Sequence, residues 1–260
     1  MEKWALVTGA SGGIGKDISR LFAADKINLV LVARSKNKLE ENKREFEKTY
    51  GIKTEIFSCD LSEPHSPEKI YEYTRNKSLI IKYLINNAGF GKYGDFIKQD
   101  FSVYEKMIEL NIKSLAGLTH LYARDMVSQR EGRIMNIAST AAFQPVPLLN
   151  VYASTKSFIL NFSEALRNEL KGTGVSVSVL CPGETRTSFH KTAGFPESKF
   201  KKSHLMESKK VAEIGYKGMM RGKALIIPGL FNKLLTFSSR LAPRRVVPGI
   251  SRFVIEKIKI

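Results

Sequence analysis

WALVTGASGGIG, residues 4–15, is a short apolar run that breaks into a glycine-rich turn and then opens a helix. The turn must reverse the chain sharply and bring backbone close to an anion. Gly9, Gly13 and Gly15 therefore leave no side chain where a phosphate or the facing strand must sit. Ser11 and Ile14 stand in the same turn, and the helix that follows offers free N–H groups and the positive end of its dipole. A glycine cluster alone also suits a plain tight turn. The strand before it and the helix after it give this one the reading of a pyrophosphate-binding loop.

The same alternation continues along the chain. WALVTG, INLVLVA, KTEIFSC, KYLINN, GRIMNIAS and VSVSVLC are short runs rich in Val, Ile and Leu, bounded by Gly, Asn or Asp and apolar on both faces. That pattern belongs to parallel strands covered on both sides. Helical stretches lie between them at 14–24, 36–50, 67–75, 104–129 and 152–171, and ALIIP at 224–228 supplies a seventh short strand. Repeated strand–helix–strand units imply right-handed crossovers. The expected fold is α/β, a Rossmann-type doubly wound parallel sheet of about seven strands with helices on both faces, plus a C-terminal helical extension over 229–260. Ligands in such a sheet sit at the carboxyl ends of the strands, where the glycine turn already is. No linker or low-complexity stretch interrupts the 260 residues, so 1–260 reads as one domain.

Composition narrows the classes. Hydrophobic residues at 43% and charged ones at 26% are ordinary for a packed globular chain. The start, MEKWALVTGA, runs straight into a strand with no basic and then apolar leader, which gives a cytoplasmic expectation. The longest uncharged stretch, 134–155, holds Asn136, Ser139, Gln144, Pro145, Pro147 and Asn150 and is too polar and broken to span a bilayer. Cys59 and Cys181 fit buried strand ends better than a disulfide, and no spacing of His, Cys, Asp and Glu suggests a metal site.

Tyr152 and Lys156, the ends of YASTK, lie four residues apart on a helix and so share one face. A phenol with an ordinary pKa of ~10 is a poor acid at neutral pH unless a nearby cation stabilises its anion, and Lys156 is placed to do that. Alone the spacing is weak evidence, because Tyr and Lys four apart occur on many solvated helices. TGASGGIG at 8–15, NNAG at 86–89, Asn111, Ser139, Tyr152, Lys156 and then Pro182–Gly183 follow one another in a fixed order, and in that order the chain resembles the short-chain dehydrogenase/reductase family over nearly its whole length.

The resemblance implies an oxidoreductase that moves a hydride between NAD(P) and a carbonyl or secondary alcohol. Tyr152 would be the acid/base, Ser139 would hold the carbonyl oxygen, Lys156 would hold the nicotinamide ribose, and Asn111 would serve a water-linked proton relay. It places Asn87, Ala88 and Gly89 beside the adenosine ribose and Asp60 at the adenine amine, and it counts Leu61, Pro182, Gly183, Thr185 and Thr187 among the cofactor-binding residues. Two bland alternatives stay open. Asp60 could simply close a turn, and Asn111 could satisfy a nearby backbone group. At the end of the second strand Ala33 stands where an NAD enzyme carries a carboxylate for the ribose 2′-hydroxyl. Arg34 follows, able to pair with a 2′-phosphate and stack on adenine, with Ser35 adding a hydroxyl. NADP(H) is therefore preferred over NAD(H), against the alternative that Arg34 is a solvated helix-start residue.

The substrate is chosen elsewhere. Residues 184–210 read as a lid, with Phe189, Phe195, Phe200, Leu205 and Met206 suited to an apolar substrate. In the extension, Leu230, Leu234, Phe237 and Leu241 recur at helical spacing, as do Val247, Ile250, Val254 and Ile258, among Arg240, Arg244, Arg245, Arg252, Lys257 and Lys259. The expectation is that these helices pack on the body or on a partner subunit, with contact to an anionic membrane surface as the alternative. The two long helices at 104–129 and 152–171 match those through which the family forms homodimers or homotetramers. A net charge of +17 with lysines spread over nearly every helix points to no nucleic-acid partner. Two further classes of function stand beside the enzyme: a non-catalytic dinucleotide-binding regulator and a membrane-surface scaffold.

Overall fold

The computed structural model describes residues 2–195 and 205–257. Among them, β1 (Trp4–Thr8), α1 (Gly13–Ala24), β2 (Asn28–Ala33), α2 (Lys36–Tyr50), β3 (Thr54–Ser58), α3 (Ser66–Asn76) and β4 (Ile81–Asn86) form the first half. The second half runs through α4 (Phe101–Ile108), α5 (Leu115–Ser128), β5 (Gly132–Ile137), α6 (Asn150–Glu169) and β6 (Val175–Leu180). Then come β7 (Thr185–Arg186), α7 (Phe189–Ala193), β8 (Met206–Glu207), α8 (Ser208–Met220), β9 (Leu225–Ile226), α9 (Leu230–Leu241) and α10 (Val247–Lys257). The main sheet has seven strands in the order β3-β2-β1-β4-β5-β6-β9, all pairs parallel, and β7 and β8 form a separate two-stranded pair.

The order reverses between β1 and β4, so the carboxyl ends of these strands open on the crevice where an α/β sheet takes its ligand. Alternating side chains build two cores. Ala5, Val7, Leu29 and Leu31 point to the side covered by Ile18 and Phe22 of α1, Leu39 and Phe46 of α2 and Met219 of α8. Leu6, Val30, Val32 and Leu84 point to the other side, against Ile70 of α3 and Leu118, Tyr122 and Met126 of α5.

Two elements depart from expectation. The helix expected over 104–129 starts at Phe101, where the Asp100 carboxylate accepts the Ser102 N–H at 2.9 Å, and it carries a π-helical turn over Glu109–Ser114. The wider turn falls around Asn111, the poor helix former of that stretch. The C-terminal helices form, but the Leu230–Leu234–Phe237–Leu241 stripe does not pack on the body. α9 turns Asn232, Thr236 and Ser239 inward and that stripe outward. In α10 Val247 is buried, while Ile250 faces outward and Ile258 lies outside the described residues. Among the described residues no helix is long and apolar enough to cross a membrane.

Candidate active site

At the end of β1 the chain turns through Gly9 and Gly13, both in the left-handed region with φ +65° and +55°. A methyl at Gly15 would strike the Gly9 carbonyl and lie 2.5 Å from Asn87 Nδ2, so the helix can approach the turn this closely only with glycine there. No side chain caps the N-terminus of α1, which leaves its first-turn N–H groups for an anion. Gly12 faces open space, with Ser11 and Ile14 half-buried beside it. From across the turn Thr187 leans on the loop: a methyl at Gly13 would lie 3.0 Å from Thr187 Cγ2.

The turn is pinned by Thr8 and Asn42, to neither of which the sequence assigns a role. Thr8 Oγ1 accepts the N–H groups of Asn87 at 2.9 Å and Ala88 at 3.0 Å, and Asn87 Nδ2 donates to the Thr8 carbonyl at 2.9 Å. The ends of β1 and β4 are thereby locked in register. Asn42 Nδ2, buried on α2, donates to the Ala10 carbonyl at 2.9 Å. A signal for it was present: Asn42 falls on the buried stripe between Leu39 and Phe46, where a polar residue needs a partner.

Past β2, Arg34 projects into solvent with its guanidinium 3.7 Å from the Asp60 carboxylate. Asp60 also accepts the Ser62 N–H at 2.9 Å and the Ser62 hydroxyl at 2.7 Å, which is the turn-closing arrangement left open as an alternative. Partial burial pulls this carboxyl up, but the Ser62 bonds and Arg34 outweigh it and hold it below its ordinary value. Ser35 immediately precedes α2 without capping it through its side chain, and Leu61 is buried in the second core.

Tyr152 and Lys156 lie one turn apart on α6, both buried, with Lys156 Nζ 5.7 Å from the centre of the Tyr152 ring. Lys156 donates to the Ile137 carbonyl at 2.8 Å. Burial pushes the phenol up to about 12, against a smaller opposing pull from the Ser139 hydroxyl. Burial likewise brings the Lys156 ammonium down to about 8. The sequence reasoning expected the lysine to lower the phenol pKa. In the structure burial raises it instead, and the opposing pull comes from Ser139 and not from the lysine. Ser139 ends the β5 loop, its Oγ accepting the Ala141 N–H at 3.1 Å.

Asn111 donates from Nδ2 to the Phe90 carbonyl and to Thr155 Oγ1, each at 3.0 Å, and accepts the Phe90 N–H at 3.2 Å. It thus ties the π-helical turn to the strand-end loop and to α6. A methyl at Gly89 would sit 3.1 Å from Asn111 Oδ1 and 3.4 Å from Lys156 Nζ, so these three positions adjoin. Beneath them a buried chain runs from Thr119 through Asn86 and Asn136 to Ser163, each link 2.9 Å. Only its Asn86 stood in a recognised motif.

The other wall is aromatic. Phe189 of α7 packs 5.2 Å from the Tyr152 ring, and Phe195 stacks on Tyr93 at 4.6 Å. His190 lies edge-on to both phenylalanines, and its burial lowers its pKa. The Tyr93 N–H donates to the Ala193 carbonyl at 2.9 Å, joining this segment to the loop after β4. Ile255 of α10 packs into the same cluster. Met206, expected in the lid, packs instead against the α1 side of the core, and Phe200 lies outside the described residues. Pro182 accepts the Thr140 N–H at 2.9 Å, Thr185 Oγ1 donates to the Gly183 carbonyl at 2.9 Å, and Asn232 of α9 lies against Gly183. Cys59 and Cys181 are free thiols at the ends of β3 and β6, both raised by burial.

Known proteins resemble the chain over most of its length. Mouse 17-beta-hydroxysteroid dehydrogenase type 3 is 34% identical over 221 residues, 83% of this chain and 70% of the mouse protein. Human very-long-chain 3-oxoacyl-CoA reductase is 34% identical over 70% of this chain, which spans 59% of the human protein. The structure of a short-chain dehydrogenase from Sphingobium yanoikuyae in complex with NADPH superposes with a TM-score of 0.83 at 30% identity, covering 93% of this chain and 94% of that one. Residues 3–198 match the short chain dehydrogenase family model. A glycine turn, an Asn–Asn–Ala–Gly strand end and a Ser–Tyr–Lys set on one seven-stranded sheet, matched over that span, make this chain a member of the short-chain dehydrogenase/reductase family of oxidoreductases.

Proposed function

We propose that the chain is an NADP(H)-dependent reductase of an apolar ketone or acyl-type carbonyl compound, working in the cytoplasm as a homo-oligomer. The observation that carries this reading is the phenol of Tyr152, buried between Ser139, Lys156 and the aromatic wall of Phe189. The phenol carries its proton at neutral pH, and Lys156 beside it is placed to stabilise the anion left when that proton goes to a carbonyl oxygen.

The turn fits a dinucleotide: α1 has an uncapped N-terminus, and Gly12 faces open space without a side chain. Ser11, Gly13, Ile14 and Gly15 would hold the pyrophosphate, and Asn87, Ala88 and Gly89 the adenosine ribose. Thr185 and Thr187, beside Pro182 and Gly183, would flank the nicotinamide. When bound, the dinucleotide supplies the hydride. The chain does the rest. Tyr152 donates its proton to the carbonyl oxygen, Ser139 donates a hydrogen bond to the same oxygen, and Lys156 orients the ribose and stabilises the phenolate that proton transfer leaves. Asn111 holds the Phe90 backbone and the π-helical turn beside Lys156, where a water-linked path could return the proton.

Cofactor preference rests on Ala33 and Arg34 at the end of β2, where there is no carboxylate on Ala33 to repel a 2′-phosphate and a guanidinium is free to swing from Asp60 at 3.7 Å. The mouse and human relatives named above are described by steroid and very-long-chain acyl substrates, which accords with an apolar ligand beside Phe189 and Phe195. Exposed Ile108 and Phe158 on α4 and α6 support an oligomer through those helices.

The test is a spectrophotometric panel in which the purified chain and NADPH are mixed with apolar ketones, 3-oxoacyl thioesters and small polar carbonyls. Loss of nicotinamide absorbance with the apolar members is the expected result. Turnover confined to small polar carbonyls, or none with any member, overturns the reading.

A further inference from the structure

α9 and α10 are built inside out for a helix pair on a protein surface. The positions α9 turns to the body are Asn232, Thr236 and Ser239, spaced four and three apart, with Thr236 only 4% exposed. Its apolar residues face water instead: Leu230 is 73% exposed, Phe231 76% and Leu241 72%, with Leu234 and Phe237 between them. The face continues through Val246 into Ile250 and Phe253 of α10, again at helical spacing. An apolar face of this extent left to water marks a contact surface.

Charge says what covers it. Residues 229–260 hold seven Lys and Arg against a single acidic residue, Glu256. Lys233, Arg244, Arg245 and Arg252 are all exposed around the apolar face, and among the described residues only Arg252 of these four has an acidic partner, Glu256 at 2.9 Å. A second copy meeting this face about a two-fold axis would set the cations of both copies together with Glu256 of each as the region's single acidic residue to neutralise them. A bilayer with acidic headgroups satisfies both halves of the pattern, taking the phenylalanines and leucines among its acyl chains and the guanidinium groups at its phosphates.

The helices also border the substrate side of the site. Asn232 lies against Gly183, Ser239 donates to the Phe143 carbonyl at 3.3 Å, and Ile255 packs in the cluster that holds Tyr152 and Phe189. We propose that α9 and α10 dock on the surface of a bilayer bearing anionic lipid and hold the substrate side of Tyr152 next to the source of an apolar ketone. The docking stands on the face itself; the delivery of substrate rests on the reductase reading above.

The test is flotation of the full chain, at physiological salt, with vesicles of phosphatidylcholine alone and of phosphatidylcholine carrying about 30% phosphatidylglycerol. The chain is expected to float with the anionic vesicles. Phe231→Glu combined with Phe237→Glu should cut the bound fraction by at least about tenfold. Arg244→Glu combined with Arg245→Glu should abolish the preference for anionic over neutral vesicles. Both pairs should bind NADPH like the parent, which shows that they fold. If the parent floats with neither vesicle, the proposal is wrong. If it does not float and the phenylalanine pair instead reduces its sedimenting mass, a second copy covers the face and the proposal is equally wrong. Because flotation needs no turnover, a chain that floats yet reduces no apolar ketone keeps the docking and loses only the delivery.

Discussion

Lys156→Met should make the ligand-free chain more stable at neutral pH while removing its activity. The folded lysine has its pKa brought from 10.5 to about 8 by burial. At pH 7 that shift costs the native state about 3 kcal/mol relative to the unfolded chain, where the ammonium is hydrated. Methionine fills similar volume without a charge and forfeits the bond to the Ile137 carbonyl, worth about 1 kcal/mol. The net gain is about 2 kcal/mol, or a rise in Tm of about 4 °C for a chain of this length. The pH dependence has a definite sign. The folded pKa lies below the unfolded one, so the unfolded state binds more protons and the wild type gains stability as pH rises from about 8 towards 10.5. At pH 9.5 the lysine costs only about 1 kcal/mol, and the two proteins should melt together. Thermal unfolding of both, followed by circular dichroism at pH 7 and pH 9.5, reads the difference. A variant less stable than wild type at pH 7, or a gap that ignores pH, refutes the argument that desolvation of Lys156 dominates.

Tyr152→Phe removes the transferable proton and little volume, so turnover should fall by about 100-fold or more while NADPH still binds; near-native rates would remove Tyr152 from its role. Arg34→Asp should weaken NADPH by roughly 1.5–3 kcal/mol and NADH far less, measured by quenching or enhancement of nicotinamide fluorescence, and equal losses would remove the 2′-phosphate site. Gly15→Ala forces a methyl against the Gly9 carbonyl and 2.5 Å from Asn87 Nδ2, so both the melting temperature and dinucleotide affinity should drop. A fully stable Gly15→Ala chain would mean that the turn can open at little cost.

What was legible in the sequence was what repeats or what is local. Strand runs such as NLVLVA are apolar at consecutive positions because both faces are covered, and that requirement is visible without coordinates. The glycine turn was legible for the same reason: backbone approach demands glycine at the residues that make it. The sign of the Tyr152 shift was not. It depends on Phe189 and the cluster around Phe195, which arrive from nearly forty residues away and exclude water that a lone helix would leave at the phenol. The π-helical turn at Asn111 was hidden too, since its hydrogen bonds go to Phe90 and Thr155, two partners that local propensity cannot name. In α9 the periodicity of Leu230, Leu234, Phe237 and Leu241 located an apolar stripe. Periodicity says that a face exists and not which way it points, and here the polar face of Asn232, Thr236 and Ser239 is the one the body covers. Asp60 illustrates a third limit, because one carboxylate can close a turn with Ser62 and still lie within reach of Arg34.

The central claim is that the chain moves a hydride to a carbonyl carbon as Tyr152 protonates the oxygen. Its most direct measurement is a single turnover with NADPH deuterated at nicotinamide C4 on the transferring face and a ketone found active in the panel, the alcohol being analysed by mass spectrometry. The account predicts one deuterium on the carbinol carbon with the wild type and almost no alcohol in the same interval with Tyr152→Phe. Alcohol formed without the label, or formed as fast by the phenylalanine variant, would contradict it.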